Sequence, residues 1–321
     1  MNSINGHIPK LSILVPCYNE ELVLDESAKI LKNKLLELIE KKNVHKDSFI
    51  LLINDGSKDK TPEIISSLHQ NNNGLFKGLL LSRNFGHQNA LSAGLHYVAD
   101  KCDISISLDS DLQDDISVID LFIEEYKKGN EVVYGVRSSR NKDTILKKLT
   151  AETYYKILHF LGIQVVYNHA DYRLVSSQVL KHFKNYSEFN IYLRGIFPLI
   201  GFKHSTVAYQ RGERFAGESK YNLLKMLALA WNGISSFSSI PLKLISILSI
   251  LILIFSFFVG IYALHSWWTG NIVTGWTSLL LVISIIGGLQ MLAIGVIGEY
   301  IAKIYQEVKN RPKYIVEKII S

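Results

Sequence analysis

The amino-acid sequence predicts an α/β domain, a parallel sheet covered by helices on both faces, joined to a membrane anchor of two helices. Three observations lead there. Short β-branched and leucine-rich runs alternate with helix-periodic stretches from Leu11 to about Val136, polar segments close most of those runs, and two late stretches carry no charged residue. Such alternation is the signature of βαβ units, and an uncharged stretch of about 20 residues matches a bilayer core. The chain of 321 residues is 48% hydrophobic and 20% charged. Its mean hydropathy of +0.14 suits neither a wholly soluble nor a polytopic protein.

The expected strands are LSILV (11–15), FILLI (49–53), GLLLS (78–82), ISISL (104–108) and EVVYGV (131–136), with helices over 22–42 and 116–129 among the connections. Ligands of open α/β sheets bind outside the carboxyl ends of the strands. The polar punctuation falls there: PCYNE after the first, NDGSKDKT after the second, RNFGHQNA after the third and DSDLQDD after the fourth. Beyond Arg137 two amphipathic helices with basic flanks are expected, over 144–161 and 220–239. Both fit the membrane surface, and the first fits packing on the sheet nearly as well.

The uncharged stretches are 244–264 and 276–297, and neither shows the polar face of a surface helix. Lys243 precedes the first, Lys303, Lys309, Arg311 and Lys313 follow the second, and the loop between has no Lys or Arg. The positive-inside rule then puts both flanks in the cytoplasm and the loop outside, with Trp267, Trp268 and Trp276 as interfacial anchors. The first residues lack the apolar core of an export signal, so the front portion is expected to remain cytoplasmic. Cys17 and Cys102 suit a reducing compartment and read as small buried side chains. The net charge of +6 would suit nucleic acid. However, the basic residues cluster in 147–156, 211–225 and the tail, beside the membrane segments, where anionic headgroups meet them. No nucleic-acid partner is expected.

Asp109 and Asp111 form a D-x-D at the end of an apolar strand, and like charges held close raise their own electrostatic cost unless a cation joins them. Mg²⁺ or Mn²⁺ takes hard oxygen ligands, commonly one or two carboxylates plus substrate phosphates. Gln113 can add a carbonyl oxygen. Pro16, Tyr18 and Glu20 after the first strand and Asp55 after the second combine a ring with acceptor carboxylates, which suits a nucleoside base and ribose. The first strand is not followed by G-x-G-x-x-G, and no P-loop motif occurs, which disfavours dinucleotide dehydrogenases and P-loop enzymes. His87 and His204 read as structural, hydrogen-bonded residues, and Glu299 as a capping or snorkelling group.

In order and spacing, LVPCYNEE, INDGSKDKT, LSRNFGHQNALSAGL and LDSDLQDD, then DYRLVSS, RFAGESKYN, GISSFSSIPLKL and GEYIAKIYQEVKNRPKY, resemble the family-2 glycosyltransferases of GT-A fold. The resemblance is specifically to the polyprenyl-phosphate glycosyltransferases, such as bactoprenol glucosyltransferases and dolichyl-phosphate mannose synthases, and it covers nearly the whole chain. It implies a nucleoside-diphosphate sugar donor, UDP-glucose first and UDP-GlcNAc second, a divalent metal, Mg²⁺ or Mn²⁺, and a membrane polyprenyl phosphate as acceptor. By resemblance, Pro16, Tyr18, Glu20 and Asp55 contact the nucleotide. Asp109, Asp111 and Gln113 hold metal and diphosphate. Arg137, Arg173 and Ser177, or Ser176 in its place, hold the acceptor phosphate, and Arg214 and Lys220 belong to a basic R-x-x-G-x-S-K segment. Ser110 and Tyr172 depart from commoner family residues without altering these roles.

A phosphate monoester is already ionised near neutral pH and is itself a nucleophile. The expected reaction is therefore one direct displacement with inversion, in which Arg137 and Arg173 grip phosphate oxygens; pairing of these arginines with DSDLQDD is the alternative. The expected organisation is a cytoplasmic GT-A domain over 1–210, an amphipathic surface segment over 211–240, spans over 241–264 and 276–300 around an external loop, and a basic cytoplasmic tail over 301–321. The chain would sit in the cytoplasmic membrane, with homo-oligomerisation left open. Two rivals remain: a processive polysaccharide synthase, which would carry Q-x-x-R-W and more spans, and a non-catalytic membrane partner that retains the fold.

Overall fold

The computed structural model describes residues 7–111, 113–138, 169–188, 191–210, 212, 240–269 and 275–321. The expected amphipathic helices over 144–161 and 220–239, together with Arg214 and Lys220, lie outside the described residues. Two compact units emerge: Met1–Asn222 with Pro312–Ser321, and Leu223–Arg311.

The first unit is built on one sheet. Strands β1 (Leu11–Cys17), β2 (Phe49–Asn54), β3 (Phe76–Leu81) and β4 (Ile104–Ser107) are parallel neighbours in the order β4-β1-β2-β3. Every residue of β1, β2 and β4 is buried, as expected for a parallel sheet covered on both faces. Helices α1 (Leu24–Glu40), α2 (Thr61–Asn71), α3 (His87–Val98) and α4 (Ile119–Lys127) provide the cover. Helix α1 buries Leu24, Ala28, Leu31, Leu35 and Leu38, a three-and-four spacing that makes one apolar stripe. Each of its leucines contributes about 1.5–3 kcal/mol by burial. On α3, a Cβ at Gly94 would come within 2.3 Å of Ile53 Cδ1 and 2.9 Å of Leu14 Cδ2, so only glycine lets this helix lie so close to β1 and β2.

The parallel core is as expected, and further strands extend it into a mixed sheet. Strands β5 (Val132–Arg137), β6 (His169–Ser176), β7 (His204–Tyr209) and β8 (Val316–Ile320) complete the order β7-β5-β6-β4-β1-β2-β3-β8. Strand β6 lies antiparallel between β4 and β5, and β8 pairs antiparallel with β3. Neither has a clean apolar alternation, because HADYRLVS buries an Asp and an Arg and VEKII is a short, charged edge strand. Two short helices, α5 (Ser177–Phe183) and α6 (Leu193–Ile200), pack beside β6.

The second unit holds α7 (Ile240–Trp268) and α8 (Trp276–Lys309). Segments Ile240–Ser266 and Ile285–Lys309 are long and apolar enough to cross a membrane. At about 1.5 Å per residue, the 29 residues of α7 rise about 44 Å, beyond the ~30 Å hydrocarbon core. Their apolar side chains face outward: Leu253 is 71% exposed and Met291 72%.

Residues 301–321 are not the plain basic tail the composition suggests. Helix α8 continues to Lys309, where Asn310 turns left-handed at φ 45°, a common helix stop. The chain then rejoins the sheet, with Ile320 opposite Gly78 and Ile319 opposite Leu79. The Ser82 N–H donates to the Ile315 carbonyl at 3.0 Å, Lys313 Nζ to the Tyr186 carbonyl at 2.9 Å, and His96 Nδ1 lies 2.7 Å from Tyr314 Oη. Burial, then the charges of Lys313 and Lys184, push the His96 imidazole down to about 4. The unfolded chain takes up that proton near pH ~6.5, so it binds more protons than the fold between these values, and stability must drop as pH falls from ~6.5 towards 4. Thermal unfolding of a His96→Gln variant should show a shallower loss across that window; an unchanged pH slope would remove His96 as the cause.

Candidate active site

Pro16 sets the opening of the site. It lies inside β1, buried and opposite Ile53, rather than in the loop that follows the strand. The Leu14 carbonyl accepts the Leu108 N–H from β4 at 3.1 Å. Pro16, two residues on, faces the same neighbour with no N–H to donate. Pairing of β1 with β4 stops at Leu14, and the two strands part where their carboxyl ends meet solvent.

The loops after β1 and β2 are stitched together at that end. Asn19 N–H donates to Ser57 Oγ at 3.0 Å, Glu20 N–H to Thr61 Oγ1 at 3.0 Å, and Lys58 N–H to Asn19 Oδ1 at 2.9 Å. Tyr18 is left 43% exposed above them. Asp55 is buried, and its two oxygens accept the N–H groups of Phe85 at 2.7 Å and Gly86 at 2.9 Å. Burial raises its pKa against those two bonds. Asp55 thereby ties the end of β2 to the start of α3. Gly56, at φ +64°, is what lets the two loops touch: a Cβ would meet the Arg83 backbone at 2.2 Å.

Asp109 and Asp111 follow β4, with buried Ser110 between them. Ser27 Oγ fixes the turn by donating to the Ser110 carbonyl at 2.7 Å. Burial raises the Asp109 pKa; Asp171 and Asp111 add to the rise, whereas His87 and Arg194 oppose it. Among the described residues, nothing hydrogen-bonds the buried Oε1 of Gln113. Two carboxylates and an orphaned carbonyl oxygen fit Mg²⁺ or Mn²⁺ in kind. Among the described residues no group of three or more His, Cys, Asp or Glu gathers to hold a metal, so any ion here would complete its shell with water or substrate oxygens.

Beside this tip is a charged cluster centred on Asp171 of β6. Its carboxylate accepts from Arg173, from Arg194 Nε at 3.3 Å and Nη2 at 3.2 Å, and from Gln88 Nε2 at 3.3 Å. His87 Nε2 lies 3.6 Å from Asp171 and 3.9 Å from Asp109. Although burial opposes its charge, Arg194, His87 and Arg173 hold the Asp171 carboxyl well below the usual range.

Two residues expected at the acceptor phosphate are engaged elsewhere in the fold. Arg173 is only 1% exposed and donates to Asp171 and, at 3.1 Å, to the Leu193 carbonyl. Ser177 follows Ser176, which pairs with Ile104 at the amino end of β4, about 17 Å of strand away from Asp109; Ser176 caps α5 instead. Arg137 Nε donates to Tyr209 Oη at 3.4 Å, whose hydroxyl donates to Asp114 at 2.6 Å, so it reaches DSDLQDD through a tyrosine. Asp171, Arg194 and Gln88 were not picked out from the sequence. The signal was the Asp two places before Arg173, which in a strand shares its face.

A family model described as Glycosyl transferase family 2 matches residues 12–184. The chain is 47% identical to the uncharacterized glycosyltransferase YkoT of Bacillus subtilis, over 96% of this chain and 91% of that protein. It is 40% identical to the bactoprenol glucosyl transferase of Shigella phage SfII, over 96% and 98% respectively. Glucosyl-3-phosphoglycerate synthase of Mycobacterium tuberculosis, solved with Mn²⁺ and UDP, aligns with 71% of this chain and 78% of its own at 15% identity and a TM-score of 0.42, too distant to bear on the site.

Removing one partner of a buried ion pair strands the other charge. Asp171→Ala should therefore lower the unfolding free energy by about 3–5 kcal/mol, measured by denaturant titration; a loss below about 1 kcal/mol would mean that the Arg173 guanidinium does not depend on this pair.

Proposed function

The chain belongs to glycosyl transferase family 2, and from that premise we propose that it moves a sugar from a nucleoside diphosphate to a membrane polyprenyl phosphate with inversion. UDP-glucose is the first donor and UDP-GlcNAc the second. The observation that carries this reading is the extent of the likeness to bactoprenol glucosyl transferases, which runs through the sheet and both apolar helices. A processive synthase has no comparable support.

The residues divide the work. Tyr18 and the loops stitched to it receive the nucleoside, and Asp55 holds those loops in place. Asp109, Asp111 and Gln113 would hold Mg²⁺ or Mn²⁺, which when bound neutralises the departing diphosphate. Arg194, 35% exposed and fixed by Asp171, offers the acceptor phosphate a guanidinium; Arg173 serves it at one remove by holding Asp171. Arg137, fixed by Tyr209, is the second candidate. The phosphate is its own nucleophile, so the chain need supply orientation and positive charge but no strong base.

The strand pairing supports the proposed membrane placement. Strand β8 comes after the second apolar helix and pairs with β3, which precedes the first. Both flanks of the helical pair therefore lie on one side of a bilayer, the cytoplasmic side by the basic residues that follow α8.

Membranes carrying the chain, given radiolabelled UDP-glucose and polyprenyl phosphate, should yield organic-extractable label, and Asp109→Asn or Asp111→Asn should lower the rate at least about 100-fold. Label in a polymer would favour a synthase, and no product with any nucleotide sugar would favour a non-catalytic role.

A further inference from the structure

Beside Tyr18 lies a cavity of about 700 Å³, within the range of small-ligand sites, and one of its walls comes from the far end of the chain: Glu317 and Lys318 of β8 line it together with Tyr18, Asn54, Ser57 and Arg83. Because β8 is antiparallel to β3, its first residues stand at the carboxyl end of β3, the ligand end of the sheet.

That two consecutive strand residues line one cavity is itself unusual, since successive side chains of a regular strand point to opposite faces. The register explains it. Lys318 stands opposite Leu80 and Val316 opposite Leu81, so Glu317 is the extra residue of a β-bulge. Bulges re-aim side chains and are common beside functional sites. Here the bulge supplies an adjacent carboxylate and ammonium to the cavity wall, while Ile320 at the other end of the strand packs against the core.

We propose that Glu317 and Lys318 read the base of the donor, so that the strand after the membrane helices sets nucleotide specificity. An acceptor beside a donor complements an N–H beside an acceptor: set one way round it fits the ring N–H and carbonyl of uracil or guanine, set the other way the amino group and ring nitrogen of cytosine or adenine, and the proposed UDP donor selects the first. The inference rests on the nucleoside-diphosphate donor proposed above.

The test is calorimetric titration of the full-length protein in detergent with UDP, GDP, CDP and ADP, in the presence of Mg²⁺. The wild type should prefer UDP or GDP over CDP and ADP. Glu317→Ala and Lys318→Ala should each weaken the preferred ligand about tenfold and narrow its margin over CDP. Ile319→Ala, an exposed change on the same strand that does not line the cavity, should bind as the wild type does, and unfolding midpoints should match across all four proteins. Undiminished binding and preference in both wall variants overturns the inference while leaving the donor reading intact, and a wild-type preference for CDP or ADP overturns both. If the wild type binds no nucleoside diphosphate, the donor reading falls first and this one with it.

Discussion

Negative charge crowded at the carboxyl end of β4 is the constraint around which the rest of this molecule is arranged. Asp109 and Asp111 raise each other's electrostatic cost, and Asp171 of the neighbouring strand adds to it. The fold answers on one side only. Arg173, buried, and Arg194, part-exposed, meet Asp171, with His87 between that carboxylate and Asp109. Asp171 is thereby neutralised by the chain itself, whereas the D-x-D pair stands at the carboxyl end of the sheet, where β1 and β4 have stopped pairing. A divalent ion brought in with the proposed donor's diphosphate would add positive charge there.

The outer edge of β3 explains why the chain returns to its sheet after the apolar helices. An exposed edge of β3 would be a template for unwanted pairing, and β8 covers it. Its place at the ligand end also brings residues that follow α8 in the chain to the wall of the cavity beside Tyr18. An enzyme whose acceptor is a lipid gains from such an arrangement, because the part that receives the sugar nucleotide is tethered where the second substrate resides.

Much of this was readable from residues alone. The strands β1 to β5 are legible as short β-branched and leucine-rich runs, and the D-x-D stands out because it puts carboxylates at the end of one of them. What escaped was hidden by charge. Strand β6 carries Asp171 and Arg173, whose mutual neutralisation permits burial that no hydropathy pattern signals. Arg173 reads as a phosphate ligand from its motif, and its partner in the fold is Asp171, two residues away. Ser177 was misplaced because motif adjacency says nothing about strand direction, and antiparallel pairing carries it to the opposite end of β4. Strand β8 is short and half charged, and its partner lies more than 200 residues earlier in the chain; only the sheet brings them together.

The account stands on the acidic tip of β4 acting as a cation-dependent clamp for the donor's diphosphate. Its most direct test is titration of UDP-glucose into the purified protein before and after chelation of divalent ions. Binding that appears with Mg²⁺ or Mn²⁺ and vanishes on chelation is the outcome the account requires, and equal affinity in both conditions would contradict it.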